Sequence, residues 1–386
     1  KWNDVGQWLL ATVSIAMLTL LISGVIIHKK IFADFFTFRP GKSKQRATLD
    51  LHNVSSVLLL PFHFLITLSG LIIFMFIYMK PGIVLVYGTD APRLTREAFG
   101  QVTRAPAKQP GQLVHVDPMV TQAQTIWGGG GVRNVSIRNP QDKHALVEVL
   151  RRPHDEISYE THTVTFDGVT GELLGKREPV AAARVQRFFT GLHMIPFSHW
   201  GLRWMYFAMG LVSCVMIATG LLLWVEKRRV RQEKEGRSSY RVVNAVAVAS
   251  TLGVLVATLA MLIANKLLPA LPNRAAVEQW IFFAAWIACL LHPLARAFGQ
   301  QYRNDIRIAW REQAWISAAL AVLAATLNAV LTGDHLLLTL AQRDFAVAGT
   351  DLVLLLTAAL ALVTARRLGA RETAASAAPA VQGVAV

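Results

Sequence analysis

Eleven residues separate His52 from His63 in the run LHNVSSVLLLPFHFLITLSGLIIFMFIYM, residues 51–79. The run is apolar enough to form a membrane helix. At 100° per residue, eleven steps return the second imidazole to within about 20° of the first, about 16 Å further along the axis. Two imidazoles on one helix face, at two depths of a bilayer, suit an electron path through two haems. Neutral imidazole is an axial ligand of haem iron, and ligand choice tunes the iron's potential. Ser56, Leu59, Thr67 and Gly70 share the face. Small residues there leave room for a flat macrocycle or for close helix packing. An ionisable ring as deep as His63 is a functional candidate by default; the ordinary alternative is a hydrogen bond to a neighbouring helix.

Each ring needs a partner. His28 ends the first apolar run, with Gly24 one turn before it on the same face. The spacing predicts His28 and His52 around an inner haem, the alternative being that His28 is one more member of the basic run HKK. For His63 the candidates are His193 and His199, both in FFTGLHMIPFSHWGLRW, residues 188–204, which Pro196 should bend at the membrane surface. In the same stretch Phe188, Phe189, Phe197, Trp200 and Trp204 are expected to rim the outer haem, with Arg184, Arg187 and Arg203 favouring an anionic or oxygen-rich acceptor. The chain has no CxxCH, so any haem is b-type. Cys214 and Cys289 lie mid-span and read as small apolar filler. His292 is intramembrane, with no partner evident. His115, His144, His154, His162 and His335 fall outside the spans and read as solvated, although the acidic residues between His154 and His162 could hold a metal weakly.

The elements that must position these rings are membrane helices. The 386 residues are 53% hydrophobic, with a mean hydropathy of +0.41, which excludes an ordinary soluble protein. Seven apolar runs are long enough to cross a bilayer, near 7–27, 54–78, 204–224, 242–264, 278–298, 312–331 and 350–364, the last being the weakest. Trp8, Trp200, Trp204, Trp224, Trp280, Trp310 and Trp315 sit near their ends, as an interfacial belt does. The net charge of +15 is not a nucleic-acid signal, because it is concentrated in alternate connections. Lys29, Lys30, Arg39, Lys42, Lys44 and Arg46 fill the first connection. EKRRVRQEKEGR follows the third span. Arg296, Arg303, Arg307 and Arg311 surround the fifth connection, and Arg366, Arg367 and Arg371 follow the last span. The positive-inside rule then places residues 80–203 outside and the C-terminus in the cytoplasm. Residue 1 falls outside too, which predicts a further helix preceding it, since the chain opens with neither Met nor signal peptide. The expected division is 1–79, two spans and a basic loop; 80–203, an outer domain and interfacial segment; 204–368, five spans; and 369–386, a disordered cytoplasmic tail.

Within 80–203, LVHV, VRNVSIRN, HALVEVLR, ISYETHTVTFD and GELLGKR read as strands or short helices, PMVTQAQTI as a helix and WGGGG as a turn. WGGGG lacks the spacing of a phosphate-binding loop. VTFDGVTGELL reads as a strand, a tight turn and a returning strand. This hairpin resembles the end of a PepSY domain. Together with SGVIIHKKIFADFFTFRPGKSKQRATLDLHN, PFHFLITLSGLIIF, Gly-Leu-His at 191–193 and RWMYFAMGLVSCVMIATGLLLWVEKRR, it makes residues 7–230 similar to PepSY-associated transmembrane proteins. Residues 240–386 carry no motif of that kind. The resemblance implies an inner-membrane reductase of ferric siderophores with b haems, and it favours His193 over His199.

The expected fold is mainly α: a polytopic membrane helix bundle with a small α+β PepSY-like periplasmic domain. The expected function is dihaem electron transfer in a bacterial inner membrane, with two haem b groups held by His28, His52, His63 and His193. One-electron reduction of a ferric chelate outside would draw on quinol or a cytoplasmic donor, and no acid–base residues are required. The alternatives are a non-enzymatic tethered binding or inhibitory module and a transporter subunit. The first leaves His52 and His63 unexplained, and against the second stand the few charged residues within the spans and the lack of an internal repeat.

Overall fold

The computed structural model describes residues 2–28, 35, 39, 41, 43–88, 90–152, 156–160, 162–297 and 307–377. Lys29, Lys30, Lys42, His154 and Arg303 lie outside the described residues, as does the tail beyond 377. Among the described residues seven helices are long and apolar enough to cross a membrane: Val5–Ile27, Gln45–Ile73, Trp200–Lys234, Tyr240–Leu267, Arg274–Ala297, Ile308–Thr332 and Phe345–Gly369. The protein is a multi-pass membrane helix bundle with a small α+β domain, and it divides into two compact units, residues 1–216 and 217–386.

In the first unit, α1 (Trp2–Ile27) packs on α2 (Lys44–Ile73). Ser43 caps α2 by accepting from the Arg46 N–H. The sequence reads as one helix through residue 79, but the helix breaks at Phe74 and again at Met79. The aromatic and β-branched run LIIFMFIYM has weak helix propensity, and the chain continues as α3 (Met75–Tyr78), α4 (Lys80–Tyr87) and α5 (Ala91–Phe99). Asp90 caps α5, and Gly100 closes it in the left-handed region, φ 63°. Its missing Cβ lets the Glu178 backbone lie against it. Residues 75–78 fall within the expected span, whereas α4 and α5 were not expected.

The α+β domain is a four-stranded antiparallel meander: β1 (Val132–Arg138), β2 (Leu146–Arg151), β3 (Thr163–Asp167) and β4 (Leu173–Lys176). One face packs on α6 (Asp117–Ile126), where Met119 and Ala123 meet Val147, Val149, Val164 and Phe166. Period-two alternation puts those side chains on one side and Glu148 and Thr165 on the other. On that second face Arg138 pairs with Glu148 at 2.9 Å. Of the expected strands, LVHV is irregular, and only 163–167 of ISYETHTVTFD pairs. WGGGG turns through three glycines with φ of 69°, 105° and 106°.

The β3–β4 turn is built on Asp167. Its carboxylate accepts from the Val169 and Thr170 amides and from Arg104, at 2.9, 3.0 and 2.6 Å. Burial pushes its pKa up, but these donors outweigh burial and hold it below the ordinary carboxylate range. A depressed folded-state pKa means stability that is present above the unfolded value and lost as pH falls through the folded one. Amide exchange at Val169 and Thr170 should therefore speed up below about pH 4, and much less so in Asp167→Asn. Equal acid responses in both proteins would refute this account.

From the sheet, α7 (Ala181–Met194) leads to Ile195, left-handed at φ 50°, then Pro196, then α8 (Trp200–Lys234). The bend falls at the expected proline, since proline and the residue before it resist helical continuation. In the second unit, α9 (Tyr240–Leu267) carries a π turn at Ala249–Gly253. The Trp286 indole N–H and the Thr251 hydroxyl donate to carbonyls there, those of Ala249 and Ala247. The core of α10 (Arg274–Ala297), α11 (Ile308–Thr332), α12 (Leu336–Ala341) and α13 (Phe345–Ala377) with α9 is rich in alanine: Ala321, Ala324 and Ala358 surround Leu259, Ile263 and Leu354. His292 has a partner the sequence did not reveal. Its Nε2 lies 2.9 Å from Glu312, which also accepts from Arg296 at 2.5 Å. The pair spans the α10–α11 connection, twenty residues apart.

Candidate functional site

The middle of the α2 stripe is buried, while His52, Ser56 and Gly70 on it are half-buried. His63 is only 7% exposed, and Leu59, Thr67 and Ser69 around it are buried. Phe62 stacks near His63, with ring centroids 6.0 Å apart, and edge-on to Tyr206 at 5.5 Å; Phe197 meets Tyr206 in turn at 6.3 Å. An aromatic cluster thus extends from beside the buried His63 ring.

Three imidazoles meet this stripe. His52 Nδ1 lies 3.0 Å from the Met216 carbonyl of α8. A carbonyl only accepts, so the neutral ring carries its proton on Nδ1 and its lone pair on Nε2. His63 Nε2 lies 2.9 Å from the Ser213 hydroxyl. That hydroxyl gives its one proton to the Met209 carbonyl at 2.7 Å, so His63 Nε2–H is the donor. His193, arriving on α7, sets Nδ1 3.1 Å from the Ile66 carbonyl and 3.0 Å from Ser69 Oγ. It too holds its proton on Nδ1 and its lone pair on Nε2. Its ring lies against Gly70, where an added Cβ would come within 3.1 Å of Cε1. Gly70 is seven residues after His63, on the same face and about 10 Å further along the axis. The rings therefore recur along one stripe, at His52, at His63 and at His193 over Gly70.

His28 sits just past the end of α1, its side chain exposed. The antiparallel pairing of α1 with α2 is fixed by Met17 Sδ against the Thr67 hydroxyl, 3.5 Å, and by Trp8 against Tyr78, ring centroids 6.5 Å apart. These residue numbers sum to 84 and 86, so residue 28 falls opposite 56–58. That level lies between His52 and His63. His199 is exposed at the start of α8 and meets none of the stripe residues in the hydrogen bonds described.

The aromatic rim reads differently in three dimensions. Phe197 is 1% exposed and belongs to the core. Arg203 donates to the Phe197 carbonyl at 2.8 Å, and Arg187 to the Tyr159 carbonyl at 3.0 Å. These two cations are engaged internally, while Trp200 and Trp204 stay exposed. Outside the spans, His162 pairs with Glu156 at 3.2 Å, and among the described residues no three His, Cys, Asp or Glu are arranged to hold a bare metal ion.

Sequence reading missed Ser69, Ser213 and the two carbonyls at Ile66 and Met216. A signal existed for one of them: Met209, Ser213 and Met216 recur at helical spacing on α8, with one polar residue inside an apolar run. The carbonyls leave no mark in a sequence.

Comparison with known proteins agrees with the architecture. An uncharacterized protein of Pseudomonas aeruginosa is 25% identical over 311 residues, covering 75% of this chain and 76% of the relative. Three quarters of the chain is more than residues 1–227 make up, so the likeness reaches the later helices. The model of the family described as the PepSY-associated TM region matches residues 1–227, the part that contains α2, the sheet, α7 and the stripe of imidazoles. The chain belongs to the family of proteins with a PepSY-associated transmembrane region.

Proposed function

We propose that this protein carries electrons across a bacterial inner membrane through two b-type haems and reduces a ferric chelate, such as a ferric siderophore, on the periplasmic side. The observation that carries the reading is the set tautomer of His52 and His193. Each donates Nδ1–H to a carbonyl, which leaves on Nε2 the lone pair that ligates a metal and fixes the ring plane. Imidazoles are a donor set that would fit haem iron. His28 and His52 would hold one group, His63 and His193 the other. His63, whose proton sits on Nε2 beside Ser213, would have to carry it on Nδ1 instead before Nε2 could take the metal in place of Ser213, and the Ser213 hydroxyl would stay bonded to Met209. Gly70 gives the His193 ring room to lie against α2. Phe62, Tyr206 and Phe197 add an apolar cluster that starts at the neighbour of His63.

When bound, such groups pass single electrons, and reduction of oxygen-ligated Fe(III) to the softer Fe(II) loosens the chelate. The basic connections support a cytoplasmic or quinol donor on one side and the acceptor on the sheet side. Pyridine haemochrome analysis of the purified chain is expected to give about two b haems. A colourless, folded preparation would reject the proposal.

One observation favours a second reading. The bonds from His52 and His63 to α8 and from His193 to α2 also tie helices together. A non-enzymatic module, tethered to the membrane and binding a partner through its sheet domain, needs no more than that.

A further inference from the structure

Where α2 gives way to the short helices, the first unit holds a groove of about 1280 Å³. Trp8, Phe76, Tyr87 and Phe99 furnish aromatic walls, with Leu94 between them and Lys80 at the edge. The walls are held in place. Tyr87 is hydrogen-bonded to Glu97, and Arg93 pairs with Glu97 at 2.8 Å and lies 5.8 Å from the Tyr87 ring centre. Phe99 is held between Phe76, at 5.9 Å, and the Arg187 guanidinium, at 5.1 Å. Arg187 belongs to α7, six residues before His193. Phe76 follows Gly70, which carries the His193 ring, by six residues. The groove is thus joined to the outermost imidazole through both α2 and α7.

Its chemistry selects an occupant. Among the described residues that line it, Lys80 is the charged one and none is a carboxylate. Four rings from four elements line it, and aromatic walls stack with other rings while giving an acyl chain nothing specific. We infer that the groove docks an anionic ferric chelate bearing aromatic rings, its rings between the aromatic walls and its charge at Lys80. The inference rests on the ferric-chelate reading above and names the class of chelate and its site. It also moves substrate recognition away from the 188–204 rim, whose Phe197 is core.

The test uses the gallium(III) complex of 2,3-dihydroxybenzoate, an anionic aromatic chelate that cannot be reduced, with the full chain in lipid nanodiscs. Saturable binding is expected. Lys80→Glu replaces attraction with like-charge repulsion and should weaken it at least about ten-fold. Leu94→Trp fills the groove and should do the same. Haem content should not change in either variant. Absence of saturable binding overturns the inference. So does binding that both variants leave intact, or displacement by equimolar phosphatidylglycerol, which would make the groove a lipid site. Gallium-chelate binding needs no electron transfer. Lys80-dependent binding by a haem-free chain would therefore count against the electron-transfer reading and for the groove, whereas a haem-loaded chain that fails to bind would do the opposite.

Discussion

His63→Ala is expected to lower the haem content from about two per chain to about one. Its companion Ser213→Ala should leave both haems in place. The pair separates the two readings of the stripe. If His63 is a ligand, its bond to Ser213 is given up when the metal binds, and the hydroxyl that remains is still satisfied by Met209. Loss of Ser213 then costs little in the loaded protein. If His63 is only a tie between α2 and α8, Ser213→Ala leaves a buried ring N–H without an acceptor, at about 1–3 kcal/mol. The two substitutions should then lower the thermal midpoint comparably, with no cofactor to count. His52→Ala should remove the other haem and spare the one at His63. Full haem content in both histidine variants would show that the ligands lie elsewhere.

Gly191→Ala is the second substitution expected to act strongly. Gly191 is buried on α7, two residues before His193, and the Ile157 carbonyl and the Tyr159 amide occupy the space a Cβ would need. Backbone cannot rotate away as a side chain can, so either α7 or the 157–159 segment must move. Overpacking of this kind costs roughly 1–3 kcal/mol. The Tyr159 N–H to Arg187 carbonyl bond at 3.0 Å crosses the same contact and should weaken with it. The shift would carry His193 off Gly70. The measurement is a thermal melt together with the haem count: a lowered midpoint and partial loss of the His63–His193 haem are expected. A wild-type midpoint with full haem would mean that this contact does not set the height of His193.

Position 191 marks how far the sequence alone could be read. Gly-Leu-His was legible as a motif, but not the reason for its glycine, which depends on a chain segment more than thirty residues upstream folding back across the helix. The same holds for Glu312 and His292. His292 reads from the sequence as an intramembrane residue with no partner, and only the packing of α10 on α11 brings Glu312 to it.

Local periodicity was enough for the seven spans, the β3–β4 hairpin, the turn at WGGGG, the bend at Pro196 and the common face of His52 and His63, because each depends on residues close in the chain. It misplaced the end of α2, where weak propensity beyond Gly70 let the helix break, and it missed α4 and α5, which are too short to carry a clear period. Tertiary structure alone decided that His193 lies on the stripe through Gly70 and that Ser213 and Met216 face the two rings. It also decided that Phe197 is core and that the aromatic groove forms between α1, α3, α4 and α5. These contacts join residues up to 164 positions apart. Such pairings follow from which small residues let two backbones approach and which carbonyls then face a ring. Neither property belongs to any one segment, so they exist only once the helices have packed.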